Sequence, residues 1–333
     1  MPKRLVGVRV ARPWLDILAY GRQSPSQSVR FSAGQLEEIA RTVNGVPEAV
    51  MKVARGGRNV KQVKDAIGYF GRDGDLAIET DDGVSLRGPG VAKFLTDDWD
   101  LELEALRGRR WIDGKHGLKS PKLVYHMVFS TVAGTPPQKV LTAARRFARE
   151  KFAFQHRYAM VLHTDKKYPH VHMLMKAMSV DGIRLNATKA MLWQWRHDFA
   201  RYLRELGVAT NATDRAARGV TISRMKHGVH RAALRGKSTY VRARVESVAS
   251  ELLRGGLVVE PGKVRLMESR KTVERAWMAI AGALERQSQH ALAADVRRFV
   301  GSMPAPMTQK EWIADQLRRR APARTLERAA PAR

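Results

Sequence analysis

Apolar residues recur in the first part of the chain at the three- and four-residue spacings typical of amphipathic helices. One such stretch covers about 33–44, and a second covers about 47–55, where two glycines stop it. A third carries apolar residues at 60, 63, 67 and 70, which share one helical face. The glycine-rich turn at 71–74 ends this helix before a short strand-like segment at 76–78. The pattern therefore predicts three helices and one short strand here.

The middle of the chain mixes strand-like and helical patterns. Residues 122–131, 158–164 and 170–178 have the β-branched and aromatic content of strands, and the last two flank a polar turn. A helix is predicted after Thr135, which stands three residues before Gln138 as in a capping box, and another at about 188–206. This order predicts an α+β domain in which helices flank an antiparallel sheet.

Helical patterns continue to the end of the chain, at about 238–254, 271–286, 288–300 and 308–320. Residues 215–244 hold nine lysines and arginines and no acidic residue, which marks a junction. We expect four parts: an N-terminal helical extension at 1–57, the α+β domain at 58–215, a basic helical region at 216–316 and a basic flexible tail at 317–333.

The net charge indicates the class of binding partner. The chain has 60 lysines and arginines and 32 acidic residues, for a formal net charge of +28, which favours a polyanionic partner such as nucleic acid. No apolar run is long enough to span a bilayer, so no membrane insertion is expected. The chain has no cysteine, which excludes disulfides, thiolate metal ligands and cysteine nucleophiles and is compatible with a cytoplasmic location.

Three histidines provide the first candidate chemistry. His170 and His172 alternate on one strand and so face the same side, and a hairpin turn brings His163 beside them. Three converging imidazoles can hold a divalent metal with coordination positions left open for substrate oxygens, as phosphodiester chemistry needs. A lone His-x-His pair is more often a surface or packing feature; the third histidine and the positive charge favour the metal site. His126 is expected to be a half-buried sheet residue.

A nucleophile is also required for transesterification. Without cysteine the choices are water, serine or threonine, or tyrosine, whose phenolate both attacks phosphorus and leaves readily. Tyr69, at the end of a predicted helix and before a glycine-rich turn, is the candidate. Tyr20 is a rival on the same grounds.

These residues together resemble a known family. Residues 158–178 are similar to the third motif of MobP-type plasmid mobilisation relaxases, which are His-hydrophobe-His (HUH) single-strand endonucleases and include the agrobacterial border endonuclease. Residues 66–83 resemble the first motif and residues 125–140 the second, and the resemblance spans about 58–220. The positions that match the motifs are Tyr69, Ser130, His163, Asp165, Pro169, His170 and His172. Two positions depart from the pattern: Lys176 replaces an asparagine and Val132 a proline.

The resemblance implies a relaxase-like palm fold and nicking of single-stranded DNA at an origin of transfer. Tyr69 would form a reversible 5′-phosphotyrosyl link, with Asp165 orienting a histidine or accepting the tyrosine proton. A divalent ion, Mg²⁺ or Mn²⁺, would be bound by the three histidines. The expected DNA contacts are Arg72, Arg109, Arg110, Lys122, Ser130 and Trp193, although packing against a neighbouring segment is the alternative for Trp193.

An accessory DNA-binding protein and a type IV secretion coupling protein are the further partners that this family implies. A cytoplasmic location is expected, with export to a recipient cell on the attached DNA. Two alternatives stay open from the sequence. One is a rolling-circle replication initiator or transposase that uses the same HUH chemistry, and the other is a non-catalytic basic DNA-binding accessory protein.

Overall fold

The computed structural model describes residues 16–17, 30–54, 56–108, 121–221 and 227–320. Contacts within the chain form two compact units. One comprises Gly45–Ala212, and the other comprises Met1–Asn44 together with Thr213–Arg333. No helix in the described ranges is both long enough and apolar enough to cross a membrane.

A six-stranded sheet organises the first unit, and all of its strand pairs are antiparallel. The order across the sheet is β1-β4-β6-β5-β2-β3. The strands are β1 (Val50–Ala54), β2 (Ile78–Thr80), β3 (Ser85–Leu86), β4 (Val124–Ser130), β5 (Tyr158–His163) and β6 (His170–Lys176). The predicted α+β class with an antiparallel sheet and a helical C-terminal region is confirmed.

Helices cover both faces of this sheet. They are α2 (Val60–Gly71), α3 (Val91–Asp98), α4 (Leu101–Gly108), α5 (Pro137–Phe152) and α6 (Lys189–Glu205). On one face, α5 and α6 enclose a core that includes Met127, Phe129 and Phe199. On the other, the predicted apolar stripe of α2 packs Val63, Ile67 and Phe70 against side chains of β4, β5 and β6. Helices α2, α3 and α4 cover only part of that second face. The covered part is an apolar core, and polar side chains of the sheet occupy the rest.

The helix predicted at about 47–55 is wrong, because this segment forms strand β1 and pairs with β4. Its side chains alternate: Met51 is buried, whereas Lys52 is exposed. Gly56 follows, and a Cβ there would lie 1.9 Å from the Val124 carbonyl oxygen. The glycine therefore permits a close backbone approach instead of stopping a helix. The sheet unit consequently begins at Gly45, before the boundary expected at residue 58.

Smaller differences concern element ends and short helices. The helix α5 begins after Pro136 with no side-chain cap, so the predicted capping box at Thr135 is wrong. The short strand predicted at 76–78 instead covers Ile78–Thr80, where it pairs with β5. Helices α3 and α4 were not predicted.

Helices make up the described part of the second unit. They are α1 (Ala33–Val43), α7 (His227–Leu234), α8 (Thr239–Leu253), α9 (Gly262–Arg286), α10 (His290–Ser302) and α11 (Gln309–Arg320). Ser32 and Gln35 form a capping box at the start of α1. Its Ile39 joins a core with Trp277 and Val296 from α9 and α10. Helix α9 begins nine residues before the expected 271, and residues 321–333 lie outside the described part.

Strand β1 leads to a stability prediction. Met51→Ala should lower the free energy of unfolding by about 2–5 kcal/mol, because Met51 is 3 % exposed and belongs to the core. Lys52→Ala should change the free energy of unfolding by less than about 0.5 kcal/mol, because the Lys52 side chain points to solvent. Urea unfolding followed by circular dichroism measures both values. Equal losses in the two variants would contradict the alternation of side chains along β1.

Candidate active site

Three rows of paired residues define the face of the sheet that α2 partly covers. Residues directly opposite each other in an antiparallel pair point to the same face. The first row is Val50, Ser130, His170 and His163; the second is Lys52, Val128, His172 and Val161; the third is Ala54, His126, Leu174 and Ala159. The predicted convergence of the histidines is confirmed, since one ring nitrogen from each of His163, His170 and His172 lies within 4.8 Å of the others.

Each of the three histidines has one ring nitrogen in a hydrogen bond. The Nε2 of His163 donates to the Phe70 carbonyl at 2.8 Å, and the Nδ1 of His170 donates to the Tyr168 carbonyl at 3.1 Å. The Nδ1 of His172 lies 2.8 Å from Nε2 of His126. These contacts leave Nδ1 of His163 and Nε2 of His170 and His172 for a cation. Such bonds fix the tautomer and ring orientation of metal-binding histidines.

Burial favours the neutral form of several of these imidazoles. It lowers the pKa of His163, and it lowers the pKa of His172 from 6.5 to about 3 with help from the charges of neighbouring imidazoles. Burial and the charge of Lys52 lower the pKa of His126 to about 4. Neutral imidazoles present the lone pairs that a metal binds, so the lowered pKa values of His163 and His172 favour metal binding. Among the described residues no other group of three histidine or acidic side chains offers this arrangement.

The last turn of α2 lies against this cluster. Besides accepting the bond from His163, Phe70 stacks its ring on His172, with centroids 4.7 Å apart and planes inclined by 9°. Successive side chains of a helix point about 100° apart, so the buried Phe70 leaves Tyr69 turned outward, 66 % exposed. The predicted nucleophile therefore lies next to a residue that contacts two of the three histidines.

An ion pair connects the turn after Tyr69 to the end of β5. The turn begins with Arg72 and Asp73, which both have left-handed backbone conformations, with φ of 50° and 53°, and end α2. The Arg72 guanidinium is 2.6 Å from Asp165, whose other carboxylate oxygen is 3.8 Å from Nδ1 of His163. Partial burial acts to raise the pKa of Asp165, but the hydrogen bond and charge of Arg72 outweigh it and leave that pKa below its usual value. The pair ties the turn after α2 to the strand end that carries His163.

Polar groups line the histidine face on the side of β1. Ser130 lies in the same row as His170 and donates a hydrogen bond from Oγ to the Pro169 carbonyl at 3.0 Å. Lys52 lies in the row of His172, is exposed, and makes no ion pair among the described residues. The charge of Lys166, in the turn between β5 and β6, also acts on His172. The open part of this face is therefore cationic.

Two predicted DNA contacts lie away from the histidines. The Lys122 ammonium is 5.0 Å from the ring centroid of Tyr125, on the face covered by α5 and α6. Trp193 is on α6 and packs against His197, with ring centroids 4.1 Å apart. The structure brings neither of them to the candidate site. Arg109, Arg110 and the rival nucleophile Tyr20 lie outside the described residues.

Sequence reasoning missed two residues of this site and one contact of a third. His126 was expected to be a half-buried sheet residue, and the structure confirms this, but the contact of its ring with His172 was not predicted. Lys52 was hidden by the wrong helix prediction for its segment. Phe70 was counted as part of an apolar helical stripe, and no sequence signal indicates that its ring stacks on a histidine.

Comparison with known protein families supports the recognition made from the motifs. Residues 101–208 match the model of the MobA/VirD2-like relaxase nuclease domain, about a third of the chain. The three histidines, Asp165 and Ser130 lie inside this match, and Tyr69 and Arg72 precede it. No curated protein matches the chain. Residues 101–208 are therefore similar to a MobP-type relaxase nuclease domain, and relaxases of this family are metal-dependent DNA endonucleases that act on single strands.

His126 provides a test of the metal centre. His126→Leu should weaken Mn²⁺ binding by about 10- to 100-fold, because His172 loses the acceptor that fixes its tautomer. His126→Gln should lose less Mn²⁺ affinity, since the amide oxygen of glutamine can accept the same hydrogen bond from His172. Isothermal titration calorimetry measures both affinities.

The matched control is His156→Leu. His156 is as buried as a core residue, but its ring binds the Lys176 carbonyl away from the three histidines. Its substitution should leave the Mn²⁺ affinity unchanged. An unchanged affinity in His126→Leu, or an equal loss in both leucine variants, would contradict the assigned role of His126.

Proposed function

We propose that the protein nicks one strand of DNA at an origin of transfer, with Tyr69 as the nucleophile. One observation carries the proposal: the helix turn that holds Tyr69 is bonded through the Phe70 carbonyl to His163, a member of the histidine triad. A groove of about 560 Å³ borders Tyr69, with Gly68, Gly74 and Gly88 in its lining, and gives room for a nucleotide strand.

The reaction is an exchange of phosphate esters. The Tyr69 hydroxyl oxygen attacks the scissile phosphorus, and the bond from phosphorus to the 3′ oxygen breaks. The 5′ side of the break stays on Tyr69 as a phosphotyrosine ester, and the 3′ oxygen leaves as a hydroxyl. The tyrosine loses one proton and the leaving oxygen gains one, so the step needs no further reactant and is reversible.

Arg72 and Asp165 act as a pair in this proposal. Arg72 presents its guanidinium beside the turn that follows Tyr69, where a DNA phosphate can be bound. Of the two roles expected for Asp165, orientation fits better than proton transfer. Its lowered pKa makes it a weak base, and its bond to Arg72 holds one carboxylate oxygen.

The histidine triad would hold the ion. A divalent cation there supplies charge stabilisation to the phosphate oxygens when it is bound. Of the two ions expected, Mn²⁺ suits three imidazole nitrogens better than Mg²⁺, which prefers oxygen ligands.

The strand of DNA is proposed to cross the histidine face from Tyr69 toward β1. Ser130 and Lys52 lie on this path beyond the histidines, and neither Lys52 nor Lys166 is neutralised by an ion pair in the described residues. The basic segment 215–244 would add sequence-independent affinity. The accessory DNA-binding protein, the coupling protein and export with the DNA belong to the same proposal.

Covalent trapping tests the nucleophile. Wild-type protein incubated with Mn²⁺ and single-stranded oligonucleotides from the origin of its own element should form an adduct that resists denaturing electrophoresis. Tyr69→Phe should form none, because the attacking oxygen is absent. Tyr168→Phe is the matched control: Tyr168 is also exposed, at 52 %, and lies in the turn between β5 and β6. It should keep the adduct.

Each other outcome has a definite meaning. An adduct that survives in Tyr69→Phe and disappears in Tyr20→Phe would move the nucleophile to Tyr20. Absence of any adduct, together with salt-sensitive DNA binding, would favour the accessory protein. An adduct formed only at a replication origin or transposon end would favour the initiator or transposase.

Lys52 tests the proposed DNA path. In a Tyr69→Phe background without metal, Lys52→Ala should lower the slope of log affinity for single-stranded DNA against log salt concentration by about 0.7, the value of one phosphate contact. Lys189→Ala is the control, because Lys189 is exposed at the start of α6 on the opposite side of the sheet. Fluorescence anisotropy measures the slopes. Identical slopes in Lys52→Ala and the parent would exclude the path over β1.

A further inference from the structure

Phe70, in the last turn of α2, contacts the histidine cluster with both its backbone and its ring. The backbone carbonyl accepts the bond from Nε2 of His163. The ring stacks on His172 and lies 4.5 Å from the ring centroid of His126 at an inclination of 36°. One residue therefore meets a candidate metal ligand from each of β5 and β6 and the histidine of β4 behind it.

Tyr69 has little contact of its own. Its ring is largely exposed, and its one recorded ring contact is an edge-on approach to Phe70, with centroids 6.0 Å apart. Among the described residues, the Tyr69 hydroxyl makes no hydrogen bond that would fix its position. Its location must come from the backbone of the last turn of α2.

The rest of α2 is held by other means. Asn59 caps its first turn, and Val63 and Ile67 pack in the core with β4, β5 and β6. These contacts hold the body of the helix on the sheet. Two residues in left-handed conformations end the helix directly after its last turn, and the Arg72–Asp165 ion pair ties the following turn to the end of β5. Within the last turn, Phe70 is the residue that contacts the histidines themselves.

We propose that Phe70 is a positioning residue that sets the location of the Tyr69 hydroxyl relative to the histidine triad. The proposal rests on the proposed function, in which Tyr69 attacks a phosphate beside the triad. The near-parallel stack on His172 restricts both the depth and the rotation of the last turn, because face-to-face aromatic contacts have a narrow geometry. A large aliphatic side chain fills most of the same space without this restriction.

The test removes the aromatic ring and keeps a large apolar side chain. Phe70→Leu should cleave an origin oligonucleotide about 10- to 100-fold more slowly than wild type in single-turnover reactions, because displacement by about 1 Å costs such a factor. The oligonucleotide concentration at half-maximal rate and the Mn²⁺ affinity should both stay within about twofold, because the Phe70 carbonyl still accepts the bond from His163 and His126 still orients His172. Phe70→Met should behave in the same way and serves if the leucine variant does not fold.

Phe129→Leu is the matched control. Phe129 is a buried phenylalanine of the same unit that contacts Phe147 and Phe199 on the opposite face of the sheet. It should lower the melting temperature at least as much as Phe70→Leu and keep the wild-type cleavage rate at temperatures where both proteins are folded. A purely structural role of Phe70 would instead give the two variants the same loss of rate.

The outcomes separate the two proposals. If wild type forms no adduct, the proposed function fails and the role of Phe70 fails with it. If wild type cleaves and Phe70→Leu cleaves equally fast, only the role of Phe70 is overturned. A loss of Mn²⁺ affinity that matches the loss of rate would also overturn it, because Phe70 would then act on His172 and not on Tyr69.

Discussion

The register between β5 and β6 is the constraint on which this site depends. It pairs His163 with His170 across the two strands and places His172 in the next row on the same face. A shift by one residue would turn the histidines of one strand to the opposite face, into the core formed with α5 and α6. The apolar residues that alternate with the histidines prevent such a shift, because Val171 and Met173 must remain buried in that core. Packing on one face thus fixes the chemistry on the other.

Hydrogen bonds connect the three histidines to the residues around them. Each histidine uses one ring nitrogen for such a bond, and the partners are the carbonyl of Phe70, the carbonyl of Tyr168 and the ring of His126. The first of these contacts links the histidine face to the helix that carries the candidate nucleophile. The arrangement therefore orients the candidate ligands and connects them to the helix turn that holds Tyr69.

Local patterns predicted much of this fold. Strands β4, β5 and β6 and helices α5 and α6 were predicted within a few residues, because their periodicity extends over six or more positions. The histidine triad followed from two strands joined by a short turn, which is a local feature. Strand β1 was predicted as a helix because five residues give little periodicity, and its partner β4 lies some seventy positions later. Lys52 was lost with it, because the residues from Val50 to Ala54 show no alternation of apolar and polar side chains that would indicate a strand.

The contacts of Phe70 and His126 with His172 were missed for a different reason. They depend on ring geometry between α2, β4 and β6, and side-chain contacts between distant segments leave no trace in a local pattern.

The proposed function requires Tyr69 to be the residue that bonds to DNA beside the triad. Tryptic digestion of the wild-type adduct, followed by mass spectrometry, tests this directly. We expect nucleotide mass on the peptide Asp65–Arg72, located at Tyr69; nucleotide mass on a peptide that contains Tyr20, or on any other residue, would contradict the proposal.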